Sequence, residues 1–167
     1  PVEGGPRQVA CDESGEHLFV SCVAGDAVSV ISTSTNTVDQ VIGVGDSPSG
    51  LCAVGDELYV ACYGSGELHV IDLGTMQPVD TIAVGHGPWE VCSSPPGDCV
   101  YLTCRLDGSV MTIRTSDHEI SASLEVGGDP KGILALSDGS AVWVCDYAND
   151  EIIVLDPSGE TELSSFE

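Results

Sequence analysis

Positive charge is nearly missing from this sequence. Arg7, Arg105, Arg114 and Lys131 stand against 27 acidic side chains, and the formal net charge is -23. Phosphate neutralisation needs clustered Lys and Arg, so nucleic acid is excluded as a partner, and an anionic membrane surface repels the chain. Long hydrophobic runs are missing too: none approaches the ~20 apolar residues of a membrane span, so no membrane insertion is expected. No segment sustains a 3.6-residue period. P-loop, H-E-x-x-H, G-x-S-x-G and C-x-x-C-H motifs are absent, and the 8 cysteines contain no C-x2-C pair. No catalytic residue, metal site or cofactor is therefore assigned. The sequence opens on Pro1 rather than Met, as expected of a processed product, an excised domain or a trimmed chain. Localisation is not legible from it.

Glycine and proline, by contrast, are plentiful and regularly placed. "VEGGP", "VGDSP", "VGHGP" and "VGGDP" end at Pro6, Pro48, Pro88 and Pro130, roughly 40 residues apart, and the same period carries over from the last residues to the first. Each unit repeats an apolar run ("QVAC", "GLCAV", "EVCSS", "GILAL") and a turn. An alternating strand follows ("HLFVSC", "ELYVAC", "CVYLTC", "AVWVCD"), then two more strands. Short β-branched and aromatic runs between turn signals are strands, and four strands in a unit of ~40 residues form a propeller blade. The reading is an all-β propeller of four blades: about 6–47, 48–87, 88–129 and 130–167, with residues 1–5 completing the link to the first. Three closures follow: a ring of four blades, two chains meeting as a homodimer in an eight-bladed ring, or part of a longer array.

These units resemble the YVTN family of β-propeller repeats at "FVSC", "YVAC", "YLTC" and "WVCD", at "VSVIS" and "HVIDL", and at the "VG..P" links. Where the family motif ends in Asn, this chain has Cys22, Cys62, Cys104 and Asp146. The resemblance implies a propeller and an extracellular or cell-surface setting. It implies no single activity, because propellers host many functions. Related families include lactonases, lyases and redox-cofactor subunits with a site at the central mouth. A structural repeat of a cell-surface protein is a further alternative.

Alternation assigns the side chains to faces. Leu18, Val20 and Cys22 share a face opposite Phe19; Cys62 and Cys104 repeat Cys22, while Cys52 and Cys92 lie on the aromatic faces with Tyr59 and Tyr101. Because one face of each blade packs on the next blade, disulfides Cys22–Cys52, Cys62–Cys92 and Cys104–Cys145 are one expectation. Free thiols buried as small apolar residues are the other.

Propellers bind ligands near one end of the axis, where loops from several blades converge. Arg7, Ser49, Trp89 and Lys131 follow the four link prolines, and Asp146 ends a second strand; these five are the candidate ligand-binding residues. Arg7 and Lys131 are suited to an anionic group and Trp89 to stacking. The four histidines fall at unrelated repeat positions, and "DYANDE" lacks the spacing of a calcium loop. With no catalytic constellation, the reading is a non-enzymatic scaffold for a protein or small ligand, self-assembling in the two-chain case. The acidic surface keeps the chain soluble at high salt or recruits cations or a basic partner.

Overall fold

The computed structural model of the protein describes residues 1–166. Sixteen strands form four separate sheets in chain order. Blade 1 is β1 (Pro6–Cys11), β2 (His17–Cys22), β3 (Ala27–Ser32) and β4 (Thr37–Gly43). Blade 2 is β5 (Pro48–Val54), β6 (Glu57–Cys62), β7 (Glu67–Asp72) and β8 (Gln77–Ala83). Blade 3 is β9 (Pro88–Ser93), β10 (Cys99–Cys104), β11 (Ser109–Arg114) and β12 (Ile120–Glu125). Blade 4 is β13 (Pro130–Ala135), β14 (Val142–Asp146), β15 (Glu151–Leu155) and β16 (Glu162–Phe166). Every sheet is an antiparallel meander.

Local chemistry sets the meander. The turn between the second and third strands ends on a left-handed residue in every blade: Asp26 (φ 47), Gly66 (φ 72), Gly108 (φ 61) and Asp150 (φ 55). Glycine and aspartate tolerate that conformation best. The link proline opens each first strand, where a missing N–H costs nothing, and a register shift follows it.

First-strand partners repeat as Ala10↔Phe19, Cys52↔Tyr59, Cys92↔Tyr101 and Leu134↔Trp143. Each blade thus has an aromatic face and an aliphatic face. The aromatic face of one packs on the aliphatic face of the next. Phe19, Val28 and Val30 meet Leu51, Leu58, Val60 and Cys62. Tyr59, Leu68 and Val70 meet Val91, Val100, Leu102 and Cys104. Tyr101 and Val110 meet Ile133, Val142, Val144 and Leu155. Burial on both faces explains why β6 and β10 are closed to solvent along nearly their whole length. The first strands pack in order, β1 on β5, β5 on β9 and β9 on β13. No comparable packing joins β13 to β1 among the described residues. The four blades form an open arc, with the aliphatic face of blade 1 and the aromatic face of blade 4 left at its ends.

Candidate functional site

The residues after the link prolines do converge, but only in part. Arg7 and Trp89 meet: the guanidinium carbon lies 3.6 Å from the indole centroid. Arg105, from the turn after β10, lies 4.2 Å from the same centroid. Two guanidinium groups thus lie over one indole ring, each at cation–π distance. Tyr63 adds an edge contact at 5.5 Å. Arg105 also grips Asp129, with Nη2 donating to Oδ2 at 2.8 Å, and Lys131 Nζ lies 3.5 Å from that carboxylate. Lys131 in turn sits 3.3 Å from the ring centroid of exposed Tyr147. Three of the chain's four Lys and Arg residues thus gather along one line, Arg7–Trp89–Arg105–Asp129–Lys131–Tyr147.

Blade 2 borders the line with Tyr63, and the first-strand residues it places there are small, Ser49 and Gly50. A methyl group on Gly50 would lie 2.6 Å from the Trp89 carbonyl oxygen and 2.8 Å from Glu90 Cα. With no side chain there, β9 closes on β5, and Arg7 and Gln8 of blade 1 reach blade 3. Gln8 Nε2 donates to Glu90 Oε1 at 2.6 Å.

The electrostatics follow from this crowding. Burial pushes the Glu90 carboxyl up, against the opposing pull of Gln8 and Arg7. Burial lowers the Arg7 guanidinium, Glu90 opposes the fall and Arg105 adds to it; a guanidinium still carries its charge near neutrality. The Arg105 hydrogen bond holds the Asp129 carboxyl below the usual carboxylate range. Arg105, Arg114 and Lys131 all have carboxylate partners. Among the described residues, Arg7 has none within ion-pair distance.

Two of the five candidate residues lie elsewhere. Ser49 is 1% exposed, and its hydroxyl points at backbone, 2.9 Å from the Trp89 carbonyl and 3.0 Å from that of Pro88. Asp146 is 2% exposed. Its Oδ1 accepts from the backbone N–H groups of Asp129, Ala148 and Asn149, and Oδ2 from Asn149 Nδ2. Both organise the backbone under the mouth and offer it no free group. The sequence reading in turn passed over Arg105, Gln8 and Glu90. Arg105 had a signal: it repeats Tyr63 and Tyr147, one residue beyond the second strand.

The hydroxyls beneath the mouth form a series. Ser21 Oγ accepts from Gln8 N and donates to the Ser49 carbonyl in the next blade. Thr103 Oγ1 accepts from Glu90 N and donates to the Lys131 carbonyl in the next blade. Blade 2 has Ala61 at this position, and the Ser49 hydroxyl reaches the Trp89 carbonyl instead.

None of the three disulfides forms; all eight cysteines are free. The reason is the direction of packing. Cys62 belongs to the blade 1–2 interface, Cys52 and Cys104 to the 2–3 interface, and Cys92 to the 3–4 interface. Cys22 is on the outward face of blade 1 and Cys145 on that of blade 4. Each expected pair is divided between different interfaces. Burial pushes the thiols of Cys62, Cys92 and Cys104 up to about 12, which makes them apolar filler rather than nucleophiles. Among the described residues no group of three or more His, Cys, Asp or Glu is placed to hold a metal ion.

A groove of about 540 Å³ lies away from the mouth, between the outer parts of blades 3 and 4. Tyr101 crosses it and donates its hydroxyl to the Pro157 carbonyl, and Arg114 at its rim is held by Asp117. The groove is an inter-blade seam that shares no residue with the mouth and whose Tyr101 and Arg114 side chains are engaged, so the mouth remains the candidate site.

Solved structures share this arrangement. Kuenenia stuttgartiensis hydrazine synthase superimposes with a TM-score of 0.91 at 23% identity, over 99% of this chain and 49% of that one. The β-propeller domain of Myceliophteria thermophila Cps50 (Swd1) gives 0.82 at 12% identity, over 99% and 58%. The chain is a β-propeller. Dihydro-haem d1 dehydrogenase NirN, in complex with DHE, also matches, at 0.82 and 16% identity over 99% of this chain and 38% of that one. At such identities the likeness is one of fold, and the propeller spans between about a third and three-fifths of each of these neighbours. No family model matches the chain, and no curated protein does.

Proposed function

We propose that this propeller is a non-enzymatic binding scaffold whose mouth receives an anionic group, a carboxylate or phosphate, on Arg7 beside Trp89. One observation carries the reading. In a chain of net charge -23, Arg7 is exposed, its guanidinium carbon lies 3.6 Å from the centre of an aromatic ring, and among the described residues no carboxylate comes within ion-pair distance of it. The ring contact restrains the guanidinium, whose N–H groups suit a bidentate acceptor. Arg105 and Lys131 add positive potential behind it, partly offset by Asp129. The repeat residues that resemble the YVTN family agree with such a scaffold and name no ligand.

The anion could arrive on a small molecule or on an acidic segment of a protein, and two titrations separate these sources. Tryptophan emission is followed in Trp143→Phe protein, which leaves Trp89 as the reporter. One arm adds citrate or inorganic pyrophosphate; the other adds a peptide rich in Asp and Glu. Saturable change in either arm, lost in Arg7→Ala, supports the reading and identifies the source. Flat titrations in both arms, or a response that persists in Arg7→Ala, reject it.

A further inference from the structure

The two ends of the arc are matching halves of an interface that the molecule already makes three times. At the blade 3–4 contact, Cys92, Tyr101, Thr103 and Val110 face Ile133, Ala135, Val142 and Val144. The repeat equivalents on the outward face of blade 4 are Leu134, Trp143, Cys145 and Ile152, with Val154 and Phe166 beside them. Those on the outward face of blade 1 are Val9, Cys11, Leu18 and Val20, with Ile31 and Val41 beside them. Neither set contains a charge, on a chain where 27 residues are acidic. Leu134 is 60% exposed, Phe166 48% and Val9 62%.

Three details show that these faces are shaped for a further blade. First, blade 1 receives its incoming link as every later blade does. Val23 N donates to the Gly5 carbonyl, as Tyr63 N does to Ser47, Arg105 N to Gly87 and Tyr147 N to Asp129. Second, Trp143 occupies the place of Tyr101. Tyr101 finds an acceptor in the following blade, the Pro157 carbonyl, whereas buried Trp143 Nε1 has no partner among the described residues. A buried donor without an acceptor is costly, and native structures rarely leave one. Third, Cys145 stands where Ser21 and Thr103 reach into the next blade.

We infer that a second copy of this chain covers both ends, the aromatic face of blade 4 in each copy packing on the aliphatic face of blade 1 in the other. Two such contacts related by one twofold axis close an eight-bladed ring without a free face. The occupant is a second copy because the faces are complementary to each other through an interface used three times within the chain, and because a basic partner would seek the acidic surface rather than these uncharged faces. This goes beyond the mouth as a binding site and does not depend on any ligand there.

Light scattering with size exclusion, at ~1 M salt to screen the repulsion between two acidic copies, is expected to give twice the 17.2 kDa chain mass. Leu134→Glu is expected to weaken association by at least ~10-fold, as a charge at the centre of an apolar interface does. Leu134 is exposed in the single chain, so the change does not threaten its fold. A cross-link fixes the geometry. Cys52 and Ser93, the repeat equivalents of Leu134 and Cys11, line one cleft at the blade 2–3 contact. Leu134→Cys, made in a Cys145→Ser background, should therefore oxidise to a covalent dimer, and adding Cys11→Ser should abolish it. A single-chain mass at every concentration and salt, polymers larger than two chains, or a cross-link that ignores Cys11 would each overturn the inference.

Discussion

Arg7 belongs to blade 1 and Trp89 to blade 3, yet their side chains stack at 3.6 Å across the blade between them. Gly50 permits this: its backbone lies so close to Trp89 and Glu90 that a methyl group would overlap both. Gly50→Ala is expected to lower stability by about 1–3 kcal/mol, as overpacking does, and to alter Trp89 emission. Urea unfolding followed by tryptophan fluorescence reads both effects. Gly50 has no positive φ, so the expected penalty is steric, and an unchanged midpoint would show that the strands can part freely.

Thiol chemistry separates exposed from packed cysteines. Cys11 and Cys145 are exposed, while Cys62 and Cys104 are buried with thiols pushed up to about 12. Brief alkylation at mild alkaline pH should modify Cys11 and Cys145 first, and denaturant should release all eight, as counted by mass spectrometry. Both fast sites lie on the terminal faces. Their labelling should slow as protein concentration and salt rise if the ring closes, whereas the rate at Cys92 should stay constant.

His118 ties blade 3 to blade 2. Its Nδ1 lies 2.9 Å from Asp80 Oδ2 and its Nε2 3.1 Å from Glu57 Oε1. Burial lowers its pKa, but the Asp80 hydrogen bond and the Glu57 charge outweigh that and the net shift is upward. A raised histidine stabilises the fold fully below its unfolded pKa, ~6.5, and the contribution is lost as pH rises through the folded value. Stability should therefore fall as pH rises above about 6.5. The fall should be smaller in His118→Gln, which separates this residue from the general growth of negative charge. Equal slopes in the two proteins would remove His118 from the account.

Asp146 anchors the link into blade 4 by accepting three backbone N–H groups. Asp146→Ala strands these donors and is expected to cost about 1–3 kcal/mol. Asp146→Asn keeps one acceptor oxygen and should cost less. Thermal unfolding of the two variants tests the order, and equal losses would contradict it.

The strands, the turns and the assignment of side chains to faces were legible in the sequence, because alternation and the spacing of the VG..P links record them directly. Ala10 opposite Phe19 and Leu134 opposite Trp143 are examples. The direction in which blades stack was not legible. It depends on the handedness with which one sheet follows another, and alternation reads the same for either hand. The expected disulfides failed at that step alone. The mouth was half legible: repeat position found Arg7, Trp89 and Lys131. Nothing in the local pattern showed that the Ser49 hydroxyl would turn inward, since its target is a carbonyl about 40 residues away. Arg105 was marked only by its repeat position, shared with Tyr63 and Tyr147, and nothing local showed that it would reach Trp89 and Asp129.

Blades 1 and 3 place the bridging hydroxyl on the second strand, at Ser21 and Thr103; blade 2 places it on the first, at Ser49 beside Ala61. What these three blades share is therefore an oxygen bonded to the next blade's backbone, supplied from either of two chain positions. In evolutionary terms the two sites are exchangeable: a serine gained at one releases the other, and the damage of Ser49→Ala should be repaired by Ala61→Ser. Blades that differ residue by residue can remain the same part, which is how a tandem repeat drifts in sequence without losing its joints.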